Sequence, residues 1–334
     1  MPLHPDLEAF LELVNLGEED GGRRAMSDMR PDEARAAYDQ STLALDAPGH
    51  DLSAEDLTLP CRDGHRLPAR LYRGPASHGP QPVALFFHGG GYVLGGLASH
   101  DSLCRDLAWQ TPCAVLAIDY RLAPEHRFPT AFFDAEDAHT WLLAHGAQHG
   151  LDTHRIALVG DSVGGSLCAA LAIAARDAGH PQPLLQLLLY PCTSAVQDSE
   201  SHRRHASGFL LEAKTLQWMF GHYLRDDHDR HDWRFAPLQA TSLRDLAPAH
   251  IVLAEHDPLV DEGQAYARRL RDAGVPTTLD LFEGMVHDFA RLGNVVAETT
   301  RLRTQLAQAL ARAFQPACQP SIRTSATPAS ALTS

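Results

Sequence analysis

Residues 160–165 read Gly-Asp-Ser-Val-Gly-Gly, directly behind the run Arg-Ile-Ala-Leu-Val at 155–159 and directly ahead of Ser-Leu-Cys-Ala-Ala-Leu-Ala-Ile-Ala-Ala at 166–175. An apolar run that turns into an alanine-rich one predicts a strand, a sharp turn centred on Ser162 and then a helix. That is the context in which G-x-S-x-G presents a nucleophile. Gly160 and Gly164 fit because so tight a turn leaves no room for Cβ atoms beside the serine and strains its backbone. Ser162 is therefore predicted at the carboxyl edge of a sheet. In isolation the same six residues also suit a serine that caps a helix, so the reading depends on a base, an orienting acid and an oxyanion site elsewhere in the chain.

Those partners follow in order. His250-Ile-Val-Leu-Ala254 reads as a short buried strand, and Asp257 comes just after it in the run Glu255-His-Asp-Pro-Leu-Val-Asp-Glu-Gly263. Thr277-Thr-Leu-Asp-Leu-Phe282 reads as the next strand, and His287 follows in Glu283-Gly-Met-Val-His-Asp-Phe289. Both residues are expected on loops leaving the sheet by the same edge as Ser162, in the chain order Ser, Asp, His. Placement after a strand, with Gly284 to loosen the loop, separates His287 from the other nineteen of the 20 histidines. Asp261 and Asp280 rival Asp257, but Asp261 opens the following helix and Asp280 is expected to point out of its strand; Pro258 stiffens the loop that holds Asp257. Upstream, the buried-strand pattern Pro82–Phe87 runs into His88-Gly-Gly-Gly91-Tyr92. Consecutive glycines let backbone N–H groups face a site without side chains in the way. Gly89 and Gly90, joined by Val163 after the nucleophile, are the expected oxyanion donors.

Taken together, His88-Gly-Gly-Gly91, Asp119-Tyr-Arg-Leu-Ala-Pro-Glu-His126, Gly160-Asp-Ser-Val-Gly-Gly165, Asp257-Pro-Leu-Val-Asp-Glu-Gly263 and Gly284-Met-Val-His287 resemble the bacterial hormone-sensitive-lipase family of esterases, from about Leu57 to about Leu310. The resemblance implies an α/β-hydrolase fold with a helical cap. It also implies a triad of Ser162, Asp257 and His287, and oxyanion donors at the second and third residues of H-G-G-G and at the residue after the serine. Four positions depart from the family pattern. Val163 stands where alanine is usual, Glu255 and His256 where small residues are usual, and Ser166 where asparagine is common.

Strand-like segments recur near 55–61, 67–72, 82–87, 113–118, 155–159, 184–190, 250–254 and 277–282. From the third onward they are joined by long helical connections, the alternation of a mostly parallel eight-stranded α/β sheet flanked by helices; the first pair is expected to be an antiparallel edge. Residues 1–50 carry helical apolar spacing (Leu7, Phe10, Leu11, Val14; Ala34, Ala37, Tyr38) with a break at Gly21-Gly22, and are read as an N-terminal cap segment. The catalytic domain is assigned to 51–190 and 247–315 and a cap insertion to 191–246, with its helix near Leu211–Leu224. Tyr92, Val163, Phe209 and Leu210 are the expected pocket residues. Residues 316–334, rich in Ser, Thr, Ala and Pro, read as a disordered tail.

A chain of 334 residues with 44% apolar content suits one large domain with an insertion. A formal net charge of −14 argues against nucleic acid as a partner. No apolar run approaches the ~20 residues that span a bilayer. The N-terminus lacks the basic and apolar regions of a signal peptide, and the six cysteines show no paired spacing. These features predict a cytoplasmic enzyme. The mixed-charge run Arg225–Asp232 reads as a solvated loop rather than a metal site.

The expected chemistry is hydrolysis of short- to medium-chain esters through an acyl-enzyme, without metal or cofactor, rising as pH climbs through roughly 6 to 7 as the base loses its proton. A homodimer through Thr277–Phe282 is implied by the resemblance. Amide or carbamate hydrolysis and acyl transfer to an alcohol use the same triad, while receptors of this fold characteristically lose a triad member.

Overall fold

The computed structural model of the chain describes residues 1–315 other than 21, 23 and 76–78; the expected tail 316–334, Cys318 and Gly21 lie outside the described residues. Two helices come first, α1 (Pro5–Glu19) and α2 (Pro31–Leu45), followed by β1 (Ala54–Pro60), β2 (Arg66–Arg73), β3 (Gln81–Phe87), α3 (Asp101–Gln110), β4 (Ala114–Ile118) and α4 (Thr130–His145). Then come β5 (Leu151–Asp161), α5 (Val163–Asp177), β6 (Leu185–Leu189), α6 (Glu200–Arg204), α7 (Ala213–Tyr223), β7 (Ala249–His256), α8 (Val260–Asp272), β8 (Thr277–Val286) and α9 (Glu298–Ala313).

The strands form one sheet in the order β1-β2-β4-β3-β5-β6-β7-β8. β1 runs antiparallel to β2 and β2 antiparallel to β4, and every other pair is parallel. β3, β4 and β6 are buried at every position, which explains why their sequences are apolar apart from Gln81 and Gln186: helices cover both faces, so neither face selects polar residues. The two faces build separate cores. Val83, Leu85 and Phe87 point into one and Ala84 and Phe86 into the other, as the two-residue strand period requires.

Register decides where the loops meet. Strand order reverses at β3, which lies between β4 and β5, and at such a switch point the loops leaving neighbouring carboxyl ends diverge and open a crevice. Phe87 is level with Gly160, so the glycine loop and the Ser162 turn leave the sheet side by side. His256 is level with Val286, so the next residue on each strand, Asp257 and His287, also emerge together.

The N-terminal helices are amphipathic. Leu7 and Leu11 of α1, and Ala34, Tyr38 and Thr42 of α2, are buried at helical spacing. Arg35 on α2 fastens it to the body, donating to the carbonyls of Val93 (2.8 Å) and Ala123 (2.6 Å) and pairing with Glu125. No described helix is long and apolar enough to cross a membrane. The five described cysteines are buried and unpaired.

Candidate active site

Ser162 has φ 54° and ψ −122°, between the last residue of β5 and the first of α5. A non-glycine residue in such a conformation costs on the order of 1–3 kcal/mol, and the surroundings must enforce it. The surroundings do so because backbone passes close by on both sides. A Cβ on Gly160 would lie 2.4 Å from the Gly164 backbone, and one on Gly164 would lie 2.0 Å from the Phe87 carbonyl oxygen. The Ser162 N–H donates to the Leu189 carbonyl at 2.8 Å, tying the turn to β6.

The structure brings Ser162, His287 and Asp257 together. His287 Nε2 lies 3.0 Å from Ser162 Oγ, and Nδ1 lies 2.7 Å from Asp257 Oδ2. The other carboxylate oxygen of Asp257 accepts the Leu259 N–H at 2.8 Å, which fixes the plane of the acid. All three residues are buried. Burial works to lower the pKa of His287, but the charge of Asp257 and its hydrogen bond outweigh it, and the net direction is upward. The rival carboxylates are occupied elsewhere. Asp280 pairs with His250 Nε2 at 2.8 Å on the neighbouring strand, and Asp261 accepts the Ser201 N–H.

The glycine loop corrects one expectation. The Gly89 N–H is directed not at the site but at Asp161, donating to Oδ1 at 3.0 Å, and a Cβ on Gly89 would meet the same carboxylate at 2.3 Å. Gly90 and Gly91 both have positive φ, 106° and 63°, and both line the cavity beside Ser162 and Val163. Among the described residues no acceptor takes the N–H of Gly90, Gly91 or Val163. The free donors are therefore the third and fourth residues of the motif, not the second and third. His88 holds the loop's base: its Nδ1 lies 2.7 Å from the Gly89 carbonyl, its ring stacks on Tyr120 at 4.2 Å, and burial holds its pKa down to about 3, so it is neutral.

Behind the loop lies a buried ion pair. Asp161 Oδ2 is 3.2 Å from His100 Nε2, and His100 Nδ1 is 2.9 Å from Ser99 Oγ. Burial opposes charge on both partners, yet their mutual attraction prevails: Asp161 is shifted down and His100 up.

The cavity over Ser162 has a volume of about 340 Å³ and is mostly apolar, a small but ordinary ligand pocket. Phe10 and Val14 of α1, Tyr38 of α2, Leu210 and Met219 from the segment between β6 and β7, and Val163 supply much of its wall. Two expected pocket residues are not among those lining it. Tyr92, itself at φ 64°, turns its ring away to stack on Tyr223 at 3.9 Å. Phe209 instead stacks on His256, with ring centres 5.6 Å apart.

A family model described as alpha/beta hydrolase fold matches residues 84–291. The chain is 44% identical over 304 residues to the ethyl acetate hydrolase of Pseudomonas putida, covering 89% of this chain and 95% of that one. It is 36% identical over 235 residues to an arylesterase of Saccharolobus solfataricus, covering 70% and 76%. Among solved structures, a thermostable esterase from Pseudomonas putida superposes with a TM-score of 0.90 at 33% identity, covering 95% of this chain and 99% of the other. The chain belongs to the hormone-sensitive-lipase-like esterases of the alpha/beta hydrolase fold.

The positions where this esterase departs from its family pattern have structural partners. Ser166 Oγ donates to the carbonyls of Ser162 (3.4 Å) and Cys192, joining α5 to the loop after β6. Glu255 accepts the Gly284 N–H at 2.8 Å, bracing the turn before His287. Val163 adds its side chain to the cavity wall, and its N–H meets no acceptor among the described residues. Sequence reasoning missed Gly91, Asp161, Asp288 and Arg291 in this esterase. Gly91 and Asp161 stand inside motifs already quoted, but which N–H faces inward depends on a contact between residues 72 apart.

Proposed function

We propose that this carboxylic ester hydrolase cleaves short- to medium-chain acyl esters by a Ser162–His287–Asp257 triad through an acyl-enzyme. The observation that supports the reading most is the unbroken line of contacts Ser162–His287–Asp257, at 3.0 and 2.7 Å. Ser162 Oγ attacks the ester carbonyl carbon while His287 Nε2 takes its proton, and Asp257 fixes the tautomer and stabilises the imidazolium. The carbonyl oxygen gathers negative charge and is received by the N–H groups of Gly90, Gly91 and Val163. As the tetrahedral intermediate collapses, the bond to the alcohol oxygen breaks and His287 returns the proton to it. Water then attacks the acyl carbon with His287 again as base, and the acid leaves from a restored serine.

A cavity of about 340 Å³ favours a short acyl chain. Met219 in its wall packs so closely on the glycine loop that a Cβ on Gly91 would sit 2.0 Å from its sulfur. Assayed on p-nitrophenyl esters from acetate to palmitate, kcat/KM is expected to peak at or below hexanoate and to fall steeply beyond octanoate. A palmitate ester turned over faster than butyrate contradicts the proposed range.

The pH profile follows from His287. Only the neutral imidazole accepts a proton, so kcat/KM rises with pH, and the upward shift places the rising limb above the ordinary histidine value of about 6.5. Asp288, pushed up to about 7 by burial and by the charge of Asp161, adjoins His287, and each charge shifts the other. The limb therefore belongs to interacting groups rather than to one residue. A profile flat from pH 6 to 8 removes His287 as the base.

A further inference from the structure

Arg291 ends the short turn Phe289–Arg291 that follows His287 and Asp288, lines the cavity, and is 4% exposed. A guanidinium carries five N–H donors in a planar fork and keeps its charge, so burying it is costly unless acceptors surround it. Acceptors from three separate parts of the chain do. Nε donates to the Ser99 carbonyl at 3.2 Å. Nη1 donates to Asp288 Oδ2 at 3.0 Å and to the Tyr38 hydroxyl, and Nη2 donates to Thr42 Oγ1 at 2.7 Å. The guanidinium carbon also sits 4.3 Å from the centre of the Tyr38 ring.

Each contact leads to a different part of the site. Tyr38 and Thr42 are one turn apart on α2, which walls the cavity. Asp288 is the residue after the base. Ser99 bonds through its hydroxyl to His100, and His100 to Asp161, whose second oxygen holds the Gly89 N–H. One side chain thus meets the cavity wall, the base turn and the segment that backs the oxyanion loop.

We propose that Arg291 is a positioning residue of this esterase, holding the His287–Asp288 turn and α2 in one arrangement around Ser162. The proposal rests on the triad reading above, and Arg291 acts through His287 and α2 rather than on the reacting bond. Its fork is the necessary feature: a lysine ammonium is a compact point charge and cannot reach the Ser99, Asp288, Tyr38 and Thr42 acceptors together. Misplacing a catalytic group by about 1 Å costs on the order of 10²-fold in rate.

The test compares the wild type with Arg291→Gln, Arg291→Lys and Thr42→Val on p-nitrophenyl acetate and hexanoate. Active sites are counted by titration with a p-nitrophenyl phosphonate, so that misfolded protein does not enter kcat. Both Arg291 variants are expected to lose about 10²-fold in kcat per titrated site, with Lys giving no rescue. Thr42→Val, which removes one of the two α2 contacts and leaves the one to Tyr38, is expected to raise KM for hexanoate several-fold and leave kcat within a factor of about two. Wild-type kcat in Arg291→Lys overturns the proposal, as does a loss in Arg291→Gln that vanishes after titration. If neither Arg291 variant folds, Thr42→Val decides, and an unchanged hexanoate KM overturns the proposal. A wild type inert toward both esters and phosphonate overturns the triad reading and this proposal with it, whereas an active wild type with indifferent variants overturns this proposal alone.

Discussion

Replacing Ser162 by Ala is expected to lower kcat on p-nitrophenyl butyrate by about 10⁶-fold, the scale seen when a serine hydrolase loses its nucleophile. The substitution removes one oxygen and leaves the Cβ, so the backbone at φ 54° carries the same strain and the turn keeps its shape. The Ser162 N–H, bonded to Leu189, is retained as well. What remains is oxyanion stabilisation and binding, worth about 10³–10⁴-fold over water in such enzymes. Measuring kcat alongside the thermal midpoint separates lost chemistry from lost folding. A variant that melts like the wild type yet keeps more than about one hundredth of the rate would show that Ser162 is not the nucleophile.

Asp257→Asn is expected to cost about 10⁴-fold in kcat, the penalty for presenting the wrong imidazole tautomer. The direction follows from the second hydrogen bond of the acid. Oδ1 accepts the Leu259 N–H at 2.8 Å, so the amide oxygen of an asparagine must take that place and its NH₂ must face His287 Nδ1. Nδ1 then has to accept, the ring proton moves to Nε2, and the nitrogen facing Ser162 can no longer act as base. A loss under about tenfold would assign the orienting role to another carboxylate, with Asp288 the nearest alternative in sequence.

The fold was legible because its signals are local. Buried strands announce themselves as short apolar runs, and the Ser162 turn lies between a strand run and a helix run with glycines where a Cβ cannot fit. The three residues proposed as the triad were picked out for the same reason, each standing just after a strand at a carboxyl end. What failed depended on contacts that sequence does not display. The Gly89 N–H is unavailable to the cavity because Asp161, 72 residues away, takes it, which leaves Gly90 and Gly91 as the candidate donors of the loop. Tyr92 follows two left-handed glycines and is itself left-handed, which turns its ring onto Tyr223 rather than into the cavity. The antiparallel edge was foreseen between β1 and β2, but the place of β2 against β4 was not, because chain order says nothing about which neighbour an edge hairpin selects. Arg291 carries no motif at all; its role is visible only once α2, the base turn and the segment before α3 are seen to meet.

The wall of the cavity is built from the first residues of the chain and fastened to some of the last. Arg291 reaches Tyr38 across 253 positions, and Arg303 of α9 reaches Asp46 across 257, in a buried pair at 2.6 Å. During synthesis, which proceeds from the N-terminus, α1 and α2 leave the ribosome long before either arginine exists. Their apolar stripes must wait, uncovered or loosely held, while the sheet assembles strand by strand. Contacts of such sequence separation are slow to form because loop closure comes before their reward. The polypeptide therefore acquires its fastened pocket only near the end of its own production, and a ribosome stalled before residue 291 would hold most of the strands with the cavity wall not yet tied to them.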